Sequence, residues 1–342
     1  MNQFILALFS MTDKLKTSTL FHLLTGKRTS AIMSYAYFVD LLPFLGSQPE
    51  LSQAVFNKSI AQLEKERLIS QLSNGLYAIS PEGRKKSDTF KTSRLKQVDY
   101  FNFGRSDIKC FRLLAYFVQQ VVQTSEKPLR PLETSPLYTR PVMQLCKENQ
   151  VSKASLSKEL TTLFQALPQS DGDFLAQQLS GNDVLPQTNY QLLPAKFQSP
   201  PWDSIYFASC LHPLLNEIKK SDSKTYCYQL LKGLLRQNYN SSMLLTRKQL
   251  LSGQSILQVA ANRHLKVGTV SDHIIEWALF DRDFSFEAFI SPKAYTYLES
   301  LPITDIFTVS YRDIYNQFPL EFVEFRLYQI QKKREAFHGV RR

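Results

Sequence analysis

Over most of the chain, apolar residues recur at three- and four-residue spacing and few glycines interrupt them (11 in 342 residues). That pattern predicts a mainly α protein. The most informative run is Thr246–Phe280, TRKQLLSGQSILQVAANRHLKVGTVSDHIIEWALF. Thr246–Leu251 closes one short helix, and Ser255 is an N-cap for a second that carries Ile256, Val259 and Ala260 on one face. Leu265 closes a tight turn in which His264 takes the left-handed position usually given to Gly. A third helix starts near Thr269 and repeats Val270, Ile274 and Trp277 at i, i+4 and i+7. The small Ala260 suits a steep helix crossing, and Val259, Leu265, Val270 and Ile274 fill the wedge. This is the pattern of a helix-turn-helix. It leaves Lys266, Gly268, Thr269, Ser271, Asp272 and His273 at the front of the third helix, where a major-groove reader keeps its base-contacting side chains. Arg247, Lys248 and Arg263 are placed to reach flanking phosphates. The alternative is a tri-helical packing module that never meets DNA; the local net charge of +2 and Asp272 at the front both weigh on that side.

The first hundred residues predict a second module. Leu51–Arg67 is amphipathic, with Val55, Ile60 and Leu63 on one side. Leu68–Leu72 and Leu76–Ser80 read as short strands around Ser73-Asn74-Gly75, where Asn-Gly is the strongest short hairpin signal. Ser80-Pro81 then opens a helix. Helix, hairpin, helix is a winged-helix-like order, and the exposed Asn57, Lys58, Gln62, Glu64 and Lys65 could grip DNA or a protein. Between the two modules, Phe111–Val122, Lys153–Leu167, Ser204–Lys219 and Lys224–Asn238 carry helical periodicity. Glu126–Pro141, with four prolines, reads as an extended link, and the polar stretch Gln165–Pro201 as a mobile loop. The expected division is 1–110, a winged-helix-like domain with a basic extension; 111–240, a helical connector with a mobile loop near 165–201; and 241–342, a helix-turn-helix domain with a basic tail.

Charge sharpens the picture. The net +11 is concentrated in two places. Arg84–Arg112 holds nine Lys/Arg against three Asp, net +6, and Glu324–Arg342 six against two, net +4. Arg84, Lys85, Lys86, Arg94, Lys96 and Arg105 therefore form a candidate secondary basic surface, suited to salt-sensitive phosphate contact or simply to solvation. A composition 43% hydrophobic and 12% aromatic supports packed cores rather than disorder.

The chemistry expected to be absent is as informative. Gly26-Lys27 has Phe21 where a phosphate-binding loop needs its first Gly, and Arg28 follows the Lys, so no ATP hydrolysis is expected. His22, His212, His264, His273 and His338 show no metal-ligand spacing, and no nucleophile motif or paired-acid site stands out. We expect no catalytic residue, metal, cofactor or small-molecule substrate. Cys110, Cys146, Cys210 and Cys227 are far apart and read as reduced core thiols of a cytoplasmic protein. The apolar run Phe4–Phe9 is too short to span a bilayer and reads as a buried first helix, so no membrane partner is expected.

Three patches carry a resemblance. LKVGTVSDHIIEWAL, preceded by SILQVAANRH, resembles the helicase-type helix-turn-helix found at the C-terminus of RecQ-family DNA helicases. With Leu23-Leu24-Thr25-Gly26-Lys27-Arg28-Thr29-Ser30 and Phe322-Val323-Glu324-Phe325-Arg326-Leu327, the chain is similar to the YpbB family of Firmicutes. The resemblance implies a non-enzymatic DNA-binding accessory protein acting with a RecQ-type helicase in replication or repair. The rival readings are a helix-turn-helix transcription regulator and a protein-interaction scaffold without DNA contact.

Overall fold

The computed structural model describes residues 1–87, 89–123, 130–181, 184–301, 306–307 and 309–339, with side chains at all of these except 89–90 and 337–339. It is mainly helical and divides into two compact units, each discontinuous in sequence. The first unit is Met1–Thr17 with Gly46–Asn238; the second is Ser18–Leu45 with Tyr239–Arg342.

In the first unit, Phe4–Phe9 lies buried within the helix Asn2–Met11. The helix Gln53–Lys65 is capped by Ser52 and buries Phe56, Ser59, Ile60 and Leu63. Val55, expected on that buried face, is exposed instead: the helix packs through the 56/59/60/63 stripe, one position round. A three-stranded antiparallel sheet accompanies it, in the order β1 (Lys14–Lys16), β3 (Leu76–Ile79), β2 (Ile69–Ser73). Leu15 stands opposite Tyr77, Gln71 pairs the same Tyr77, and the register shifts between Gln71 and Ser73. Gly75 turns the hairpin at φ 74°. Ser80 caps the next helix, Pro81–Lys86, through the Gly83 N–H. A Cβ at Gly83 would collide with the Leu68 carbonyl oxygen, so this helix can close on the hairpin only through glycine. Strand β1 carries no apolar run, and periodicity gives no sign of it.

The basic Arg84–Arg112 segment is not a bare extension. It folds into the helices Pro81–Lys86, Thr89–Leu95 and Tyr100–Phe103 and the start of Asp107–Val122. Two of its cations are core groups. Arg94 is buried against Asp171 at 2.6 Å, and Lys91 is buried with its ammonium 2.9 Å from Gln3 and 4.9 Å from the Trp202 ring centre. Asp88 lies outside the described residues.

The helices Lys153–Gln165, Trp202–Lys220 and Tyr226–Arg236 bear out the helical periodicity of those segments. Two expectations are corrected. Pro136–Asn149 is a helix with Pro136 in its first turn, so the proline-rich link ends earlier; residues 124–129 lie outside the description. The supposed loop 165–201 contains the helices Gln169–Ala176 and Asn189–Leu192 and buries Asp171, Phe174, Leu175, Leu193 and Phe197. Those helices are too short to show a period, and one combines the Arg94–Asp171 pair with the buried Phe174 and Leu175.

His212 is also structural. Its Nδ1 accepts from the Asp99 N–H at 2.7 Å, so its Nε2 carries the proton given to Asp107 at 3.1 Å. Burial pushes the Cys110 and Cys210 thiols up to about 12 and raises Cys227, which leaves all three protonated and poorly nucleophilic.

Candidate nucleic-acid interface

The second unit is built round the helix Val267–Phe280, which starts two residues before the predicted Thr269. Two helices precede it. Ser241–Leu251 is capped by Asn240, and Ile256–Asn262 by Ser255, in a capping box with Gln258. Gly253, at φ 88°, ends the first, and His264 sits at φ 52° in the turn, the left-handed position read from the sequence. The Leu265 N–H closes that turn on the Ala260 carbonyl at 2.9 Å. Val259, Val270 and Ile274 are fully buried, Ala260 is 5% exposed, and Trp277 is boxed by Phe284 and Phe289.

At the front of the third helix, Lys266, Val267, Gly268 and Asp272 are exposed, and Thr269 and Ser271 are half-buried. Nothing lies within 4 Å of where a Gly268 Cβ would stand. From His273 to Leu279 every residue of the helix is buried. Ile275, Glu276, Ala278 and Leu279 would form the outer face of a groove-lying helix, yet they are buried along with His273, Ile274 and Trp277. The helices Ser30–Phe38 and Phe322–Gly339 cover it. Only its first turn and a half can enter a groove, so any approach to a duplex is end-on.

Several expected contact residues have other duties. His273 is buried, not exposed, and its Nδ1 lies 2.8 Å from Thr246 Oγ1. Arg263 donates to that same hydroxyl, to the Ser242 carbonyl at 2.7 Å and to Ser242 Oγ at 2.8 Å. Because Arg263 can only donate, Thr246 accepts from it and sits between the guanidinium and the imidazole. Burial, and then the nearby Arg263 charge, lower the His273 pKa accordingly. Arg247 pairs with Asp281 at 2.9 Å and lies over the Trp277 ring. Of the four cations expected to meet DNA, Lys248 and Lys266 remain as exposed heads, whereas Arg247 and Arg263 hold the fold together.

The basic tail is likewise employed. Arg334 donates to the carbonyls of Ala278, Asp281 (2.8 Å) and Arg282 (3.1 Å), capping the end of the third helix, where a cation also meets the negative pole of the helix dipole. Lys332 bonds Glu299 and Glu335, and Lys333 bonds Asp40 at 2.9 Å. Burial lowers Arg326 to about 10. Arg341 and Arg342 lie outside the described residues.

Sequence reasoning missed the contribution of Ser18–Leu45. Gly26, at φ 87°, ends the helix Thr17–Leu24, and Thr29 caps Ser30–Phe38. Between these two points, Arg28 bonds Glu276 at 2.9 Å with both side chains largely buried, and Ser30 Oγ donates to Asp272 Oδ1 at 2.5 Å. Glu276 also accepts from Asn240 at 2.9 Å, the residue that caps the first helix. One carboxylate thus ties three segments together. Lys27 and Thr29, which flank Arg28 in the chain, are exposed. The motif Gly26–Ser30 is legible in the sequence, but nothing local says where it docks.

With that geometry in place, comparison with known proteins bears on one part of the chain. Residues 242–329 match the family model of a helix-turn-helix domain. No curated protein and no solved structure matches the chain. The matched stretch covers the three helices and most of the unit's C-terminal portion, but not Ser18–Leu45, which the same structural unit includes. The helix-turn-helix domain here is therefore completed by a segment from near the start of the chain.

Elsewhere the candidate basic surface is dispersed. Arg84 pairs with Asp13, Lys86 lies 4.0 Å from Glu66, and Arg112 grips Glu133 through two bonds of 2.6 and 2.8 Å. Lys85, Lys96 and Arg105 are exposed. Among the described residues, no group of three or more His, Cys, Asp or Glu side chains is arranged to hold a metal, and no helix is long and apolar enough to cross a membrane.

Proposed function

We propose that this chain is a non-enzymatic DNA-binding accessory protein that inserts the front of its helix-turn-helix end-on into duplex DNA. The observation that carries the reading is the free first turn of Val267–Phe280, with Lys266, Val267, Gly268 and Asp272 exposed at the tip of an otherwise enclosed helix. Presenting the N-terminal residues of the third helix is how a helix-turn-helix reaches base edges. Lys27, Lys248 and Lys266 supply the phosphate contacts. The partnership with a RecQ-type helicase rests on resemblance, supported by the meeting of all three resembling patches in one unit. The winged-helix-like order of Gln53–Lys65, hairpin and Pro81–Lys86 offers a second surface for DNA or for the helicase.

Binding of the full chain to duplex, forked and single-stranded DNA, with co-purification of a RecQ-type helicase, tests this. Three neutralised phosphates give a slope of log affinity against log salt of about −3, and replacing Lys27, Lys248 and Lys266 by Ala flattens it. The scaffold reading has an observation of its own: Leu245, Leu251 and Leu257 on the first two helices are 56%, 65% and 69% exposed. Full-length protein that binds no DNA even at low salt, while a Leu257→Ser variant loses the helicase, would favour it.

A further inference from the structure

We propose that Asp272 is a base-reading residue that selects cytosine in the major groove and that Ser30 positions it. This rests on the DNA-binding reading above. Asp272 is exposed on the last free turn of the third helix, at the level where the helix leaves solvent and enters the core. Asp272 and Glu276 are four residues apart and share a helix face. Each is held by the same upstream segment: Ser30 donates to the first and Arg28 pairs with the second. Ser30 is fixed in turn at the first position of its own helix, where Thr29 caps the Ile32 N–H at 3.3 Å.

The partner of Asp272 is a neutral hydroxyl, so its charge is oriented but not cancelled. An ionised carboxylate only accepts hydrogen bonds. Beside a phosphate it is repelled, and against guanine O6 and N7 or thymine O4 it meets other acceptors. Adenine offers N6–H beside the acceptor N7, whereas cytosine offers its N4 amino group with no acceptor on the same base edge. A fixed acceptor at a groove-entering tip therefore penalises DNA in general and is relieved at cytosine. Ser30 holds Oδ1, and Oδ2 keeps its full capacity for the base.

The test is selection from a randomised duplex library with the full-length protein, followed by anisotropy titrations on duplexes differing at the selected pair. The wild type should favour C·G at one position by about five- to tenfold. Asp272→Asn should abolish that preference or shift it to adenine while tightening binding to arbitrary duplex. Ser30→Ala should weaken the preference with the melting profile unchanged. An Asp272→Asn protein that binds DNA with the parent's base preference overturns the assignment and leaves DNA binding standing. Wild-type protein that binds no duplex even at low salt overturns both.

Discussion

At the residue scale, the helix-turn-helix depends on a few side chains whose chemistry allows no substitute. Ile274 is fully buried, as are Val259 and Val270. Ile274→Asp would place an unpaired carboxylate there at a cost of several kcal/mol, comparable to the whole stability of a small unit. The helical signal of the second unit should be lost, which circular dichroism and limited proteolysis would register; a parent-like melt would refute the packing. His273 makes a pH prediction. Its folded pKa lies below the usual 6.5 because burial and Arg263 disfavour the imidazolium. The unfolded chain therefore takes the proton first as pH falls. The stabilisation is complete above about pH 6.5 and is lost as pH drops through the depressed value. Thermal melts followed at Trp277 in a Trp202→Phe background should show this decline, and His273→Gln should remove it. A pH profile identical in the two proteins would exclude His273 as its source.

At the element scale, the third helix shows how secondary structure and tertiary demand interact. Its N-cap Lys266 makes no side-chain capping bond, so the free backbone N–H groups face outward at the very tip proposed to meet DNA. Its other end is closed by Arg334, from a helix more than fifty residues later. Arg334→Met keeps much of the aliphatic stem and removes the capping guanidinium. It should cost on the order of 1 kcal/mol. Denaturant titration would detect the shift, and an unchanged midpoint would mean that solvent satisfies those carbonyls equally well. The helix, hairpin, helix order from Gln53 to Lys86 is readable from the sequence because its signals are local: a Ser cap, an Asn-Gly turn and a Ser-Pro helix start. The short helix Gln169–Ala176 is not, since eight residues show no period and its Asp171 meets Arg94 seventy-seven positions away.

At the scale of the whole molecule, the second unit is made of two distant stretches. A fragment of residues 239–342 should therefore be defective although it contains the entire matched domain. Without Ser18–Leu45 it uncovers a face of the third helix and leaves the Glu276 carboxylate without Arg28, and breaking a buried ion pair costs about 3–5 kcal/mol. The fragment should melt non-cooperatively or aggregate, and a chimera joining 18–45 to it should recover a sharp transition. A fragment as stable as the chimera would show the upstream segment to be dispensable. The same organisation explains the modest phosphate contact expected of so basic a chain. Charge concentrated along the sequence became ion pairs, helix caps and core contacts once folded, as Arg94, Arg112, Lys332, Lys333 and Arg334 show.

The helices and turns of the helix-turn-helix, their order, and the residues at their crossing are all written locally in the chain. Each of those signals spans about ten residues or fewer: a Ser255 cap, a left-handed His264, a period of 3.6 through Val270, Ile274 and Trp277. Which polar residues are free to act is settled only on folding. Whether Arg263, His273 or Lys333 faces water depends on partners supplied by other segments, and Asp272 and Glu276 depend on Ser30 and Arg28, some 240 residues upstream. Local periodicity reports which face of a helix is apolar. It carries no record of what later covers the other face, because burial and ion pairing are properties of the assembled chain.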